Sequence, residues 1–164
     1  FLVGTLFVLG FFLLSYRGKG KWENRVANSG FFFALGVALL PCQASASAVR
    51  VLHYVSAGLL FGMFAVFSLW LFRESTKKHR HIPHLRRIDN VYVTTGVLLI
   101  LCLVALGLVK AFVKDEVFLQ RFKPVLYIEA VGLFAFGYSW LTRAHVLWMD
   151  RGEYPRRFSS LGLS

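Results

Sequence analysis

Residues 49–72 read VRVLHYVSAGLLFGMFAVFSLWLF, and this stretch decides the fold class. Its only charged residue is Arg50, at the second position. A helix rises 1.5 Å per residue, so this run spans about 36 Å, which is enough to cross the roughly 30 Å hydrocarbon core of a bilayer. The stretch therefore predicts a transmembrane helix.

Four further apolar runs have similar character, at residues 1–16, 25–41, 88–111 and 124–146. Hydrophobic residues make up 57% of the chain, above the roughly 45–50% of a soluble domain. A soluble core could not bury runs of this length. The sequence predicts an all-α integral membrane helix bundle, a single domain over residues 1–164 with five transmembrane helices.

The basic residues predict the orientation of these helices. Of the 19 Lys and Arg, 14 lie in alternate connections or in the C-terminal part, and basic loops are retained in the cytoplasm. Trp22, Trp70, Trp140 and Trp148 fall at the same predicted boundary, where indole rings prefer to lie. We expect a cytoplasmic C-terminus in a bacterial inner (plasma) membrane. Because Phe1 begins inside an apolar run, we expect one helix upstream and six in the full protein.

The net charge of +11 would suggest nucleic acid in a soluble protein. Here the basic loops favour anionic lipid headgroups at the cytoplasmic surface instead, and no nucleic-acid partner is expected. His79, His81 and His84 stand close together, but the Lys and Arg around them would repel a cation. We therefore predict no metal site in this loop and no cofactor elsewhere.

Two ionisable residues stand out in the interior of the predicted membrane segments, where such groups often mark a site or pathway. His53 and Glu129 are each about 6–8 Å below the outer boundary, so we expect them to face each other. The pair is a candidate for ligand binding or proton relay, and a structural interhelical hydrogen bond or snorkelling to the interface is the alternative. Further candidate partners near the pair are Ser56, Tyr54, Tyr127 and Gln43.

A weaker candidate site lies at the cytoplasmic boundary and contains Arg17, Asn28 and Asp89. Asp89 and Asn90 also open the fourth apolar run, where we expect them to cap the helix.

The third run contains Gly58 and Gly62 as a G-x-x-x-G motif, which lets helix backbones approach closely in lipid. Contact within the chain is the first expectation. A homo-oligomer or a partner subunit bound through this face is the alternative.

No zinc-protease, nucleophile-elbow, phosphate-loop or c-type haem motif occurs in the sequence. No catalytic residue is therefore assigned, and an enzyme is not favoured.

The order of several features resembles uncharacterised small six-helix bacterial membrane proteins. These features are a Tyr16-Arg17-Gly18 turn, an Asn28-Ser29-Gly30 segment, Gly36 before Pro41, then His53 and finally Glu129. The order is also distantly similar to the DRAM/FRAG-like group, in which a histidine in the third helix and a glutamate in the last recur. The resemblance implies a role for His53 and Glu129.

A competing resemblance is to the ceramidase-like membrane hydrolases, which hold a metal with an H-x-x-x-H pair in the last helix. Here that helix has Arg143 and His145 without such a pair, which removes the metal site.

The favoured interpretation is a multi-pass membrane protein of unknown activity that binds a lipid or small ligand in a polar pocket near the outer face. The alternatives are a hydrolase-like membrane enzyme or a proton-coupled transporter using His53 and Glu129, and an accessory subunit of a membrane complex.

Overall fold

The computed structural model describes residues 2–18, 20–42, 45–77, 83–113 and 121–152, and the regular structure of these residues is helical. The described residues form five continuous helices. They are α1 (Leu2–Ser15), α2 (Lys21–Leu39), α3 (Ser47–Val66) continuing through the π turn (Phe67–Leu71) into α4 (Phe72–Lys77), α5 (Pro83–Phe112) and α6 (Pro124–Gly152). The third of them consists of α3, a π-helical turn and α4 in succession. The predicted all-α membrane helix bundle is confirmed.

Within the described ranges, three helices are long and apolar enough to cross a membrane, over Ser47–Glu74, Leu85–Phe112 and Pro124–Val146. The apolar part of α1, Val3–Ser15, is shorter. Helix α2 begins with a charged turn around Glu23. That α1 and α2 also cross the bilayer stays a prediction.

Four helix boundaries differ by four or more residues from those predicted. Helix α2 begins at Lys21 instead of residue 25, and α4 ends at Lys77 instead of residue 72. Helix α5 begins at Pro83 instead of residue 88, and α6 extends to Gly152 instead of residue 146. The reason is that an apolar run marks the part of a helix within hydrocarbon, whereas backbone hydrogen bonds continue into polar turns outside it. Asp89 is consequently the seventh residue of α5, so the predicted capping role is wrong.

The chain divides into two compact units, Phe1–Val66 and Phe67–Ser164. In the N-terminal unit, α1 packs on α2 and α2 packs on α3. The buried glycine Gly30 permits this close approach: a Cβ there would lie 2.6 Å from Met63 Cε and 3.0 Å from Leu13 Cδ1. Leu13 and Ala34 are fully buried between the helices.

The G-x-x-x-G motif takes no part in this packing. A Cβ built on Gly58 or Gly62 meets no other atom within 4 Å among the residues that the structure describes. Within the N-terminal unit this face therefore makes no close contact among the described residues. Its contact elsewhere in the chain, with a second copy or with a partner subunit stays a prediction.

The C-terminal unit is built around the π turn, which α5 and α6 both contact. Aromatic rings fill its core, with neighbouring centroids 5.1–6.3 Å apart in tilted and edge-on pairs. Such pairs each contribute about 0.5–1.5 kcal/mol beyond area burial. The rings belong to Phe67, Phe72, Tyr92, Phe136 and Trp140.

Candidate functional site

His53 is fixed to the end of the preceding helix. Pro41 lacks an N–H and forces Leu40 into extended backbone, so α2 ends at Leu39. The Leu40 carbonyl oxygen lies 2.7 Å from His53 Nδ1. Because a carbonyl can only accept, Nδ1 carries the proton, and Nε2 of the neutral ring keeps a lone pair for another partner.

The predicted neighbours of His53 in α3 occupy different surroundings. Tyr54 is exposed, and its ring meets the His53 ring edge-on at 5.5 Å. Ser56 packs against the backbone of α2, where a Cβ on Gly36 would lie 2.9 Å from Ser56 Cβ. Ser56 therefore serves close packing of α2 on α3, whereas Nε2 of His53 keeps capacity for a ligand.

The other members of the predicted outer pocket lie elsewhere. Glu129 is half-buried and Tyr127 exposed, both on α6 of the C-terminal unit. Gln43 lies outside the described residues. Since His53 belongs to the N-terminal unit, its pairing with Glu129 stays a prediction.

The start of α2 organises the turn that contains Arg17. Tyr16 Oη donates to Glu23 Oε1 at 2.5 Å, and Gly18 N–H donates to Asn24 Oδ1 at 2.7 Å. These bonds fold the turn onto α2 and leave Arg17 exposed.

Asn28 is half-buried in α2, and its Oδ1 is buried with no hydrogen-bond partner among the described residues. Asp89 lies in the other unit, so the predicted site of Arg17, Asn28 and Asp89 also stays a prediction.

Asp89 itself binds Arg73 of α4. Arg73 Nε donates to Asp89 Oδ1 at 2.8 Å and Arg73 Nη2 to Asp89 Oδ2 at 3.3 Å. Asp89 is fully buried. This bidentate ion pair joins α4 to α5 and holds a charge that would be expensive alone.

Arg143 brings α6 to the same level of the C-terminal unit. It is buried, its Nη1 donates to the Phe72 carbonyl oxygen at 3.5 Å, and its guanidinium lies 5.8 Å from the Phe72 ring centre. The Tyr92 ring also packs against the Phe72 ring, with centroids 5.6 Å apart and planes tilted by 53°. The Tyr92 hydroxyl is buried without a hydrogen-bond partner in the described part of the chain.

Sequence reasoning counted Arg73 and Arg143 as loop cations and missed their burial. A usable sign was their position three residues after Trp70 and Trp140. An arginine one turn beyond an interfacial tryptophan is still partly within the helix packing, where it needs a partner.

One comparison with known proteins assigns the chain to a family. The family model described as the copper resistance protein D-like N-terminal domain matches residues 42–149. No curated protein and no solved structure matches the chain. This result supports a membrane protein but gives no support to the resemblance to the DRAM/FRAG-like group. Because the match covers more than half of the sequence, the chain belongs to the copper resistance protein D-like N-terminal domain family.

Proposed function

We propose that this chain is a multi-pass membrane protein that contributes to copper tolerance. In this proposal copper binds transiently near His53 and is not a permanently bound cofactor. The observation that carries it is the family match over residues 42–149, a range that includes His53.

A resident copper centre does not fit the residues that the structure describes. Among them, no group of three or more His, Cys, Asp or Glu side chains could hold a metal ion. Copper sites in proteins use such nitrogen and sulfur ligands in a fixed geometry. We therefore assign no bound copper cofactor to the described part of the chain.

His53 has the features of a single, accessible copper ligand. The histidines that bind metals usually donate the other ring N–H to a carbonyl or carboxylate, which fixes the ring and raises the basicity of the ligand nitrogen. His53 has this arrangement through Leu40. Cys42 lies two residues after Leu40 and is exposed. A soft thiolate favours Cu(I). One imidazole and one thiol suit a transient encounter with a soft ion.

Competition for Cu(I) tests the proposal on the purified protein in detergent under reducing conditions. A coloured chelator reports how much Cu(I) the protein withholds. We expect His53→Ala to weaken this competition at least about tenfold, the scale of effect seen for groups around metal sites. His145→Ala is the control, because His145 is an exposed histidine on α6. Equal competition by wild type and His53→Ala would overturn the assignment.

Binding of a lipid or small ligand near the outer face is the second candidate. It is favoured by the half-buried His53 ring beside the exposed Tyr54 ring, which offers one polar and one amphipathic surface. Retention of a co-purified organic molecule by the wild type, and its loss from Tyr54→Ala, would favour this function. Hydrolase-like or proton-coupled activity and an accessory-subunit role have no comparable observation.

A further inference from the structure

Arginines from three helices collect at one end of the C-terminal unit. Arg73 is the second residue of α4, Arg86 and Arg87 lie in the first turns of α5, and Arg143 lies on α6. Two contacts place them at one level: Arg73 binds Asp89 of α5, and Arg143 donates to the carbonyl of Phe72, the residue before Arg73.

Among the described side chains at this end of the C-terminal unit, positive charges outnumber negative charges. Both carboxylate oxygens of Asp89 already accept from Arg73. Glu74 is exposed and is the other described carboxylate here. The four guanidinium groups thus exceed the two carboxylates among the described side chains. Such an excess attracts an anion to this end of the unit.

The depth of this end matches the headgroup region of a bilayer. Trp70 is 58% exposed and lies one turn before Arg73, and exposed indole rings in membrane helices gather at the lipid–water boundary. Arg86 and Arg87 are exposed and lie on α5 before Asp89, the partner of Arg73. They therefore reach the layer that lipid phosphates occupy.

We infer that this end of the C-terminal unit binds the phosphate of an anionic phospholipid through Arg86 and Arg87. Guanidinium groups bind phosphate bidentately. The first backbone N–H groups of α5 also lie at this end of the unit and carry partial positive charge. The Arg73–Asp89 ion pair ties this start of α5 to α4, so the helix backbone that carries Arg86 and Arg87 is held in place before the lipid binds.

Lipid titration of the full chain tests the inference. The detergent-solubilised protein is titrated with phosphatidylglycerol or phosphatidylcholine, and bound lipid is counted by native mass spectrometry. We expect Arg86→Gln with Arg87→Gln to weaken phosphatidylglycerol binding about tenfold and to leave phosphatidylcholine binding unchanged. The control, Arg121→Gln with Lys123→Gln, removes the same charge from two exposed residues that precede α6, and should bind like wild type.

Two results would overturn the inference. One is equal phosphatidylglycerol affinity for wild type and the double variant. The other is complete displacement of the lipid by millimolar inorganic phosphate, which would assign a free-anion site. If circular dichroism shows that the double variant is misfolded, Arg86→Gln and Arg87→Gln are titrated singly, and wild-type affinity in both would equally reject the site.

Discussion

At the residue scale, Asp89 is a fully buried carboxylate whose two oxygens accept hydrogen bonds from Arg73. Asp89→Asn would leave the Arg73 guanidinium, whose side chain is only 19% exposed, without its counter-charge. Breaking such a pair by removing one partner costs about 3–5 kcal/mol when both are buried. Because Arg73 keeps some exposure, we expect the free energy of unfolding to fall by about 3 kcal/mol.

Unfolding of the detergent-solubilised variant by sodium dodecyl sulfate measures this change. Asn90→Ala is the matched control, since Asn90 is exposed on the same turn of α5. A loss for Asp89→Asn no larger than that for Asn90→Ala would show that the ion pair contributes little.

The partner of Asp89 illustrates what the sequence conceals at this scale. Arg87 lies two residues away, and residues at that spacing lie on different faces of a helix. Arg73, sixteen residues earlier, approaches only because α4 packs on α5. The sequence shows that a charge sits at the boundary, but the choice of its partner depends on helix packing.

At the element scale, the α2–α3 contact depends on the small size of Gly36. A Cβ there would press on Ser56, whose own Cβ would be 2.9 Å away, and a short side chain cannot move far. We expect Gly36→Ala to destabilise the protein by about 1–3 kcal/mol through overpacking. Gly58→Ala, in open space on α3, is the control. Thermal unfolding in detergent compares them, and equal melting temperatures would contradict the packing described.

The π turn is joined to α6 by one buried polar contact. Ser68 Oγ and Ser139 Oγ lie 2.9 Å apart, and both residues are fully buried. Interhelical hydrogen bonds of this kind contribute about 0.6 kcal/mol on average in a membrane protein. We expect a double-mutant cycle with Ser68→Ala and Ser139→Ala to give a coupling free energy near that value. No coupling at all would indicate that the two hydroxyls do not bond.

The helical class and the number of helices among the described residues could be predicted from apolar run length, since hydrocarbon thickness fixes that length. The π turn could not. Residues 67–71 are as apolar as the α-helical residues before them, and their geometry depends on contacts with α5 and α6. The extended backbone of Leu40 was not predicted either. Pro41 nevertheless indicates a helix end nearby, because the residue before a proline disfavours the α conformation.

At the scale of the whole molecule, the distribution of basic residues predicts a cytoplasmic C-terminus. A fluorescent protein fused after Ser164 should fold and fluoresce, because it remains on the cytoplasmic side. An alkaline phosphatase fused at the same position should be inactive for the same reason. The opposite pair of results would reverse the orientation and contradict the basic-loop argument.

The sequence singles out His53 because an ionisable residue in an apolar helix needs a partner. In the structure the Leu40 carbonyl is a partner of this ring, and the role of His53 in a functional site stays a prediction. The copper association was not visible in the sequence, since the residues form no recognised metal motif. It came from similarity spread over residues 42–149.

The central claim is that the chain contributes to copper tolerance through His53. Growth of cells that lack the chain, complemented with wild type, His53→Ala or His145→Ala, tests it across a series of copper concentrations. We expect wild type and His145→Ala to restore growth at concentrations where His53→Ala does not, with all three proteins present in the membrane at equal amounts. Equal protection by His53→Ala, or no protection by the wild type, would contradict the account.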